Sequence, residues 1–204
     1  MLEGTDGTAS PRLPHMVITV GLPGAGKSTF AESLVASGRG WRRVSQDELG
    51  SRRAVDAALA ALGEESSTRI VLDRCNVTAE DRARLRRAAS LPAGSAVACV
   101  FFDVDRDECE RRVAARHRHP TIRHGGGHAA VRGMAKALEI PEAYEGFDEL
   151  VSVRSPQQVD ELLVRWGAKG QASRWMSCSC AGERKGRRSH PKGRRSHPMP
   201  TTPT

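Results

Sequence analysis

The sequence predicts a three-layer α/β domain on a five-stranded parallel sheet, spanning roughly residues 15–166. Three observations carry this. The strand-like runs are continuously apolar and β-branched rather than alternating, so neither sheet face can be wet. Helical patterns separate consecutive runs, which calls for crossover helices on both faces. The first run also ends in a glycine-rich turn that opens a helix.

The elements follow in order. MVITV at 16–20 is the first strand. Residues 27–37 place Phe30, Ala31 and Leu34 on one side of a helix. WRRVS at 41–45 is the second strand. The alanine-rich segment 53–62 has Val55, Leu59 and Leu62 spaced as a face, and RIVLD at 69–73 is the third strand. TAEDRARLRRAAS at 78–90 opens with Thr78 and has Asp81 three residues on, close to a capping box. AVACVFFDV at 96–104 is the longest strand. Residues 105–117 begin with acids and end with bases, as a helix dipole favours. A helix at 129–138, a fifth strand DELVSV at 148–153 and a helix at 157–166 complete the pattern.

The net charge of +8 belongs to the tail. Residues 167–204 hold nine Lys/Arg against one acid, Glu183, which leaves 23 bases and 23 acids in 1–166. A nucleic-acid site in the body therefore has to rest on local patches. The tail repeats KGRRSHP at 185–191 and 192–198, low complexity without packing capacity; it reads as a solvated, disordered extension ahead of the alternative, a localisation or nucleic-acid arm. Residues 1–14 are Gly, Thr, Ser and Pro mixed with charge and also read as disordered. They contain two acids and no apolar run, unlike a secretory signal. No stretch is apolar enough to span a membrane. Five cysteines without framework spacing read as reduced thiols of an intracellular protein, nuclear or cytoplasmic, with Cys75 and Cys99 in buried strands. Cys178 and Cys180, with His190 and His197, fit no familiar zinc finger.

The turn after the first strand reads Gly21-Leu22-Pro23-Gly24-Ala25-Gly26-Lys27-Ser28, followed by Thr29. It matches G-x-x-x-x-G-K-[ST] in full and in the strand-to-helix context the motif requires. Glycines let successive N–H groups turn inward onto phosphate oxygens, and the helix N-terminus adds its positive end. Lys27 is expected on the β/γ phosphates, and the Ser28 hydroxyl on Mg²⁺. The fold is thus expected to be a P-loop NTPase of the nucleoside-kinase kind, binding ATP and Mg²⁺.

The acceptor side is less determined. Asp47, in SQDELGS after the second strand, reads equally as a general base for an incoming hydroxyl or as a helix N-cap. Asp73 closes the third strand as a Walker B carboxylate would, or as a capping or ion-pairing acid. Arg74 and Asn76 follow on the same rim. Arg112 and Arg116, four apart on one helix face, lead into Gly125-Gly126-Gly127, so a lid with an arginine on the transferring phosphoryl group is expected. His117, His119, His124 and His128 have glycines between them and read against a metal cluster.

In their order, GLPGAGKST, SQDELGS, VLDRCN, the arginine lid and EGFDELVSV resemble the kinase domain of the 5′-hydroxyl polynucleotide kinases. The module occurs in mammalian kinase–phosphatases and at the front of plant aprataxin-like proteins. The resemblance covers about 16–154. It implies transfer of the ATP γ-phosphate to a DNA or RNA 5′-hydroxyl in end repair, with no obligate protein partner. It also implies Asp47 as base, Lys27 and Ser28 on ATP–Mg²⁺, and Arg52 or Arg53 near an acceptor phosphate. Asp73 and Asn76 would sit at the acceptor and metal rim, and Arg116 would be the lid arginine. Gln46-Asp47 stands where the family more often has Arg-Asp, and Asp73-Arg74-Cys75-Asn76 where it has Asp-Asn-Thr-Asn, so the departures fall on the acceptor side. A small-molecule acceptor (a sugar acid or nucleoside) and a non-catalytic ATP-binding module remain the alternatives.

Overall fold

Five parallel strands form one sheet in the order β2-β3-β1-β4-β5. They are β1 (Met16–Val20), β2 (Trp41–Ser45), β3 (Arg69–Asp73), β4 (Val97–Phe102) and β5 (Glu149–Val153). The computed structural model describes residues 13–115 and 127–168. The helices are α1 (Lys27–Ala36), α2 (Gln46–Leu49), α3 (Arg52–Gly63), α4 (Ala79–Ala88), α5 (Arg106–Ala114), α6 (Gly127–Ala137) and α7 (Pro156–Arg165). A 3₁₀ turn, Ala143–Glu145, precedes β5.

Alternate residues of β1, β2, β3 and β4 enter two separate cores, one per face, and β5 contributes to the first alone. Val17, Val71, Ala98, Val100 and Phe102 pack with Phe30, Ala31 and Leu34 of α1, and with Val159, Leu162 and Leu163 of α7. Ile18, Ile70, Leu72, Cys99 and Phe101 pack with Val55 and Leu59 of α3 and Leu85 of α4. This is the three-layer arrangement that the uninterrupted apolar strands demand. Trp166 lies beneath the first core, its ring 6.4 Å from Trp41 and 6.1 Å from Phe30.

Helix starts follow local chemistry. Ser51, Thr78, Asp105 and Ser155 each accept a hydrogen bond from first-turn N–H groups of α3, α4, α5 and α7. The expected elements are present with trimmed ends. β4 runs 97–102 rather than 96–104; beyond it the Asp103 N–H still donates to the Val153 carbonyl at 2.9 Å, and the Asp103 side chain pairs with Arg154 at 2.7 Å. Cys75 departs from the expectation of a buried strand: it lies two residues beyond β3 and is half-buried. The four-residue α2 and the 3₁₀ turn had no periodic signal to announce them.

The turn is held by an unexpected group. Arg82 of α4 is fully buried. It donates to Glu145 through Nε at 2.7 Å and Nη2 at 2.6 Å. Its Nη1 donates to the carbonyls of Asn76, Val77 and Glu139. One guanidinium thus ties the segment after β3 to the segment before β5. Burial works against the Glu145 charge, but the hydrogen bonds from Arg82 and from the Glu142 N–H outweigh it and hold its carboxyl below the ordinary value.

Arg82→Met is expected to destabilise the fold by about 3–5 kcal/mol, because it strands a buried carboxylate and three carbonyls; urea unfolding measures it. A depressed carboxyl contributes stability above its unfolded value of about 4.3 and loses it as the pH falls further. Glu145→Gln should therefore unfold with a shallower acid dependence than the wild type below that pH.

Candidate active site

The loop between β1 and α1 turns at the carboxyl edge of the sheet, and its glycines are required by contact as well as by conformation. Gly21 has φ 143°, and a Cβ there would meet the Phe102 carbonyl at 2.9 Å. Gly24 has φ 87°, and a Cβ would meet the Cys109 carbonyl at 2.7 Å and Val113 Cγ2 at 3.0 Å. The loop is therefore clamped between β4 and α5. Its start is also tied to β3: Gly21 N–H donates to the Cys75 carbonyl at 3.1 Å, and Thr19 Oγ1 donates to the Leu72 and Arg74 carbonyls.

The N-terminus of α1 has no side-chain cap and no acid in its first turn. Its leading N–H groups have no side-chain cap to accept from them, an arrangement suited to an anion. Lys27 is buried, and its Nζ donates to the Leu22 carbonyl at 2.7 Å, so the ammonium rests within the curve of the loop. Leu22 and Ala25 are buried and pack in the core. Pro23, Gly26 and Thr29 are half-buried, and Ser28 is exposed.

Ser28 Oγ lies 3.2 Å from Asp73 Oδ1. A hydroxyl and a carboxylate oxygen at this spacing, beside a phosphate loop, suit Mg²⁺, which keeps several waters and takes few protein ligands when phosphates supply the rest. Among the described residues there is no His/Cys/Asp/Glu cluster of three that could hold a metal by itself. Ser28 and Asp73 thus fit a Mg²⁺ that takes its remaining ligands from phosphates and water.

The other Asp73 oxygen is taken by a residue whose role the sequence did not reveal. Arg43, in β2, donates to Asp73 Oδ2 through Nε at 2.9 Å and Nη2 at 2.6 Å, and its Nη1 pairs with Glu48 of α2. Trp41, Arg43 and Ser45 share a strand face, and β2–β3 register sets Ser45 beside Asp73. Burial opposes the Arg43 charge, yet its bonds and charge contact with Asp73 prevail and raise its pKa above the ordinary value. An arginine among buried neighbours signals the need for a partner, but only the register names that partner.

Asp47 lies in α2, two residues beyond the β2 end, and is exposed. It does not cap α3; Ser51 does, accepting from the Ala54 N–H at 3.1 Å. The whole run 47–53 is exposed, Arg52 and Arg53 included. Arg52 and Arg74 both approach Asp81, Arg74 at 3.9 Å. Arg74 is held below its ordinary pKa, chiefly by burial, and its Nη1 is buried without a hydrogen-bond partner. The Asn76 side chain is buried, with Nδ2 donating to the Thr19 carbonyl at 2.7 Å, and the residue adopts φ 44°. Its Nδ2 thus braces β1, its Oδ1 is buried without a hydrogen-bond partner, and a left-handed backbone suits Asn.

Arg112 reaches the phosphate loop, with Nη1 3.4 Å from the Gly24 carbonyl and Nε paired to Glu108. Two arginines hold the Glu108 carboxyl down at about 2, Arg111 by hydrogen bonding first and Arg112 after it. A small recess beside Ala25 is lined by Phe102, Val104, Arg112, Val153 and Pro156. Arg116 lies outside the described residues, as do His117, His119 and His124. His128 pairs with Glu110 at 2.8 Å.

The parallel sheet, with the phosphate loop at its carboxyl edge, defines a P-loop NTPase with a kinase-like fold. The family described as AAA domain matches residues 16–61 and 53–141, and the chain belongs to that family. The chain is 29% identical over 176 residues to Transcription factor bHLH140 of Arabidopsis thaliana, covering 83% of this chain and 19% of that protein. Over 69 residues it is 43% identical to the Bifunctional polynucleotide phosphatase/kinase of Schizosaccharomyces pombe, 33% of this chain and 16% of that one. It thus spans less than a fifth of either curated relative. Among solved structures, a fungal RNA kinase superposes with a TM-score of 0.56 at 15% identity, covering 74% of this chain and 85% of that one. A gluconokinase from Sinorhizobium meliloti 1021 superposes with a TM-score of 0.52 at 21% identity, covering 81% and 95%.

Gly24→Ala is expected to cost about 1–3 kcal/mol from the left-handed backbone alone, with the clash against α5 added to it. A lowered melting temperature together with loss of nucleotide binding checks this. An unchanged melting temperature would show the loop free of α5.

Proposed function

We propose that this chain transfers the γ-phosphate of ATP to the 5′-hydroxyl end of a polynucleotide, as in DNA or RNA end repair. The observation that carries the reading is the open rim beside Asp47. Residues 47–53 are exposed throughout, Arg52 and Arg53 among them, a few residues along the chain from Asp47. An acceptor enclosed by protein would need a walled pocket there; a strand end needs an open, basic approach. The similarity to a polynucleotide phosphatase/kinase supports the same acceptor.

The residues divide the work. The loop N–H groups and the N-terminus of α1 hold the phosphates, and Lys27 neutralises charge between the β and γ positions. Ser28 and Asp73 would hold Mg²⁺, which when bound offsets negative charge on the triphosphate oxygens. Asp47 accepts the proton of the incoming hydroxyl as the bond to phosphorus forms. Arg52, Arg53 and Arg74 receive the acceptor's own phosphates. Arg112 lies against the loop and the recess beside Ala25, where it borders the nucleoside end. Arg116 serves as the lid arginine. Phosphoryl transfer of this kind rests on positioning and charge neutralisation more than on covalent chemistry.

The test is γ-labelled ATP with 5′-hydroxyl oligonucleotides of both sugars, beside gluconate and free nucleosides. Label on oligonucleotides is expected. Label on gluconate or nucleosides alone would replace the acceptor, and label on none would leave a nucleotide-binding module. Lys27→Ala should abolish turnover. Asp47→Asn should bind ATP as the wild type does and lose about 10²-fold or more in transfer rate; an unchanged rate would remove Asp47 as the base.

A further inference from the structure

We propose that Arg43 is a positioning residue that fixes the metal-facing oxygen of Asp73 and locks the helix carrying Asp47 to the same point. This rests on the reading of Ser28 and Asp73 as Mg²⁺ donors given above.

The geometry is one-sided. Both Arg43–Asp73 hydrogen bonds, at 2.9 and 2.6 Å, fall on Oδ2, while Oδ1 is left to Ser28 at 3.2 Å. A carboxylate held by two donors on one oxygen cannot spin, so its other oxygen points where a metal shared with Ser28 would lie. This is how outer residues orient a metal ligand. The pair is no loose surface contact: the Asp73 side chain is 4% exposed and that of Arg43 21%.

The third donor extends the connection. Arg43 Nη1 pairs with Glu48, the neighbour of Asp47 in α2. A helix of four residues has no stability of its own. Gly50, at φ 74°, ends α2 immediately. The Glu48 carboxylate, although 60% exposed, is a side-chain tie that the structure shows from α2 to β2. Ser28, Asp73, Arg43 and Glu48 form a continuous line from the phosphate loop to the helix of the base. A lysine would keep the charge but could not make three bonds in a fork.

The experiment uses metal-stripped full chain and the non-hydrolysable ATP analogue AMP-PNP, with binding followed as Mg²⁺ is raised and no acceptor present. Arg43→Ala and Arg43→Lys are expected to raise the Mg²⁺ needed for half-saturation by about 10- to 100-fold. Glu48→Gln should leave that curve in place. Hydrogen exchange over residues 46–50 should accelerate several-fold in Arg43→Ala and in Glu48→Gln alike. Melting temperatures identify a variant that fails to fold, in which case Arg43→Lys carries the test. Superimposed Mg²⁺ curves would overturn the assignment, and so would a curve shifted to lower Mg²⁺, which would make Arg43 a competitor of the metal. Unchanged exchange at 46–50 would overturn the link to α2. Because no acceptor is present, the outcome does not depend on which hydroxyl is phosphorylated. A wild type that binds no analogue at any Mg²⁺ concentration would instead sink the nucleotide reading, and this proposal with it.

Discussion

The pairing of β1 between β3 and β4 is the constraint from which the site follows. Ile18 lies beside Leu72 on one side and Cys99 on the other. The chain leaving β1 therefore has to turn over the ends of both neighbours. That leaves room only for backbone: Gly21 passes the Phe102 carbonyl, and Gly24 passes α5. A loop pressed this closely is held in one shape, and the helix start beside it, without a side-chain cap, suits an anion. Because β3 is parallel to β1 and directly beside it, Asp73 arrives at the same edge, within reach of Ser28. Phosphate recognition here is a consequence of strand order.

Part of the charge at this edge is arranged as linked pairs, beside the exposed Arg53. Arg43 is shared between Asp73 and Glu48, and Asp81 draws Arg52 and Arg74. Each arginine is thereby held at a defined place before any ligand arrives, and ordering it on binding costs less than ordering a free side chain would. The same device serves structure at Arg82, where burial makes a guanidinium acceptable only because Glu145 and three carbonyls surround it. That bond network joins the segments leading out of β3 and into β5, and so holds the sheet edge together on the side away from β2.

Much of this was legible in the sequence. MVITV, RIVLD and AVACVFF are apolar without interruption, and such strands have few folds open to them. The phosphate loop was readable because its function is written in backbone freedom, which glycine alone supplies at those positions. Thr78 and Asp105 were readable as helix starts because capping acts over three residues. Asn76 shows the limit of such reading, because an amide beside a rim acid serves a ligand or a neighbouring strand equally well, and its bond to the Thr19 carbonyl is visible only in the fold. Arg82 shares a helix face with Leu85 and Ala89, so periodicity places it inward, but nothing local names the partner that makes a buried guanidinium acceptable there.

The chain by itself therefore determined the layers, the succession of elements, the phosphate loop and the helix caps. All of these depend on residues within a turn or two of one another, or on a periodicity that repeats along the chain. Tertiary structure alone decided which charges meet. Arg43 and Asp73 are 30 residues apart, and Arg82 and Glu145 are 63 apart. Whether such groups touch is set by strand register and helix packing, since a hydrogen bond between side chains works over about 3 Å and carries no mark in the order of the residues.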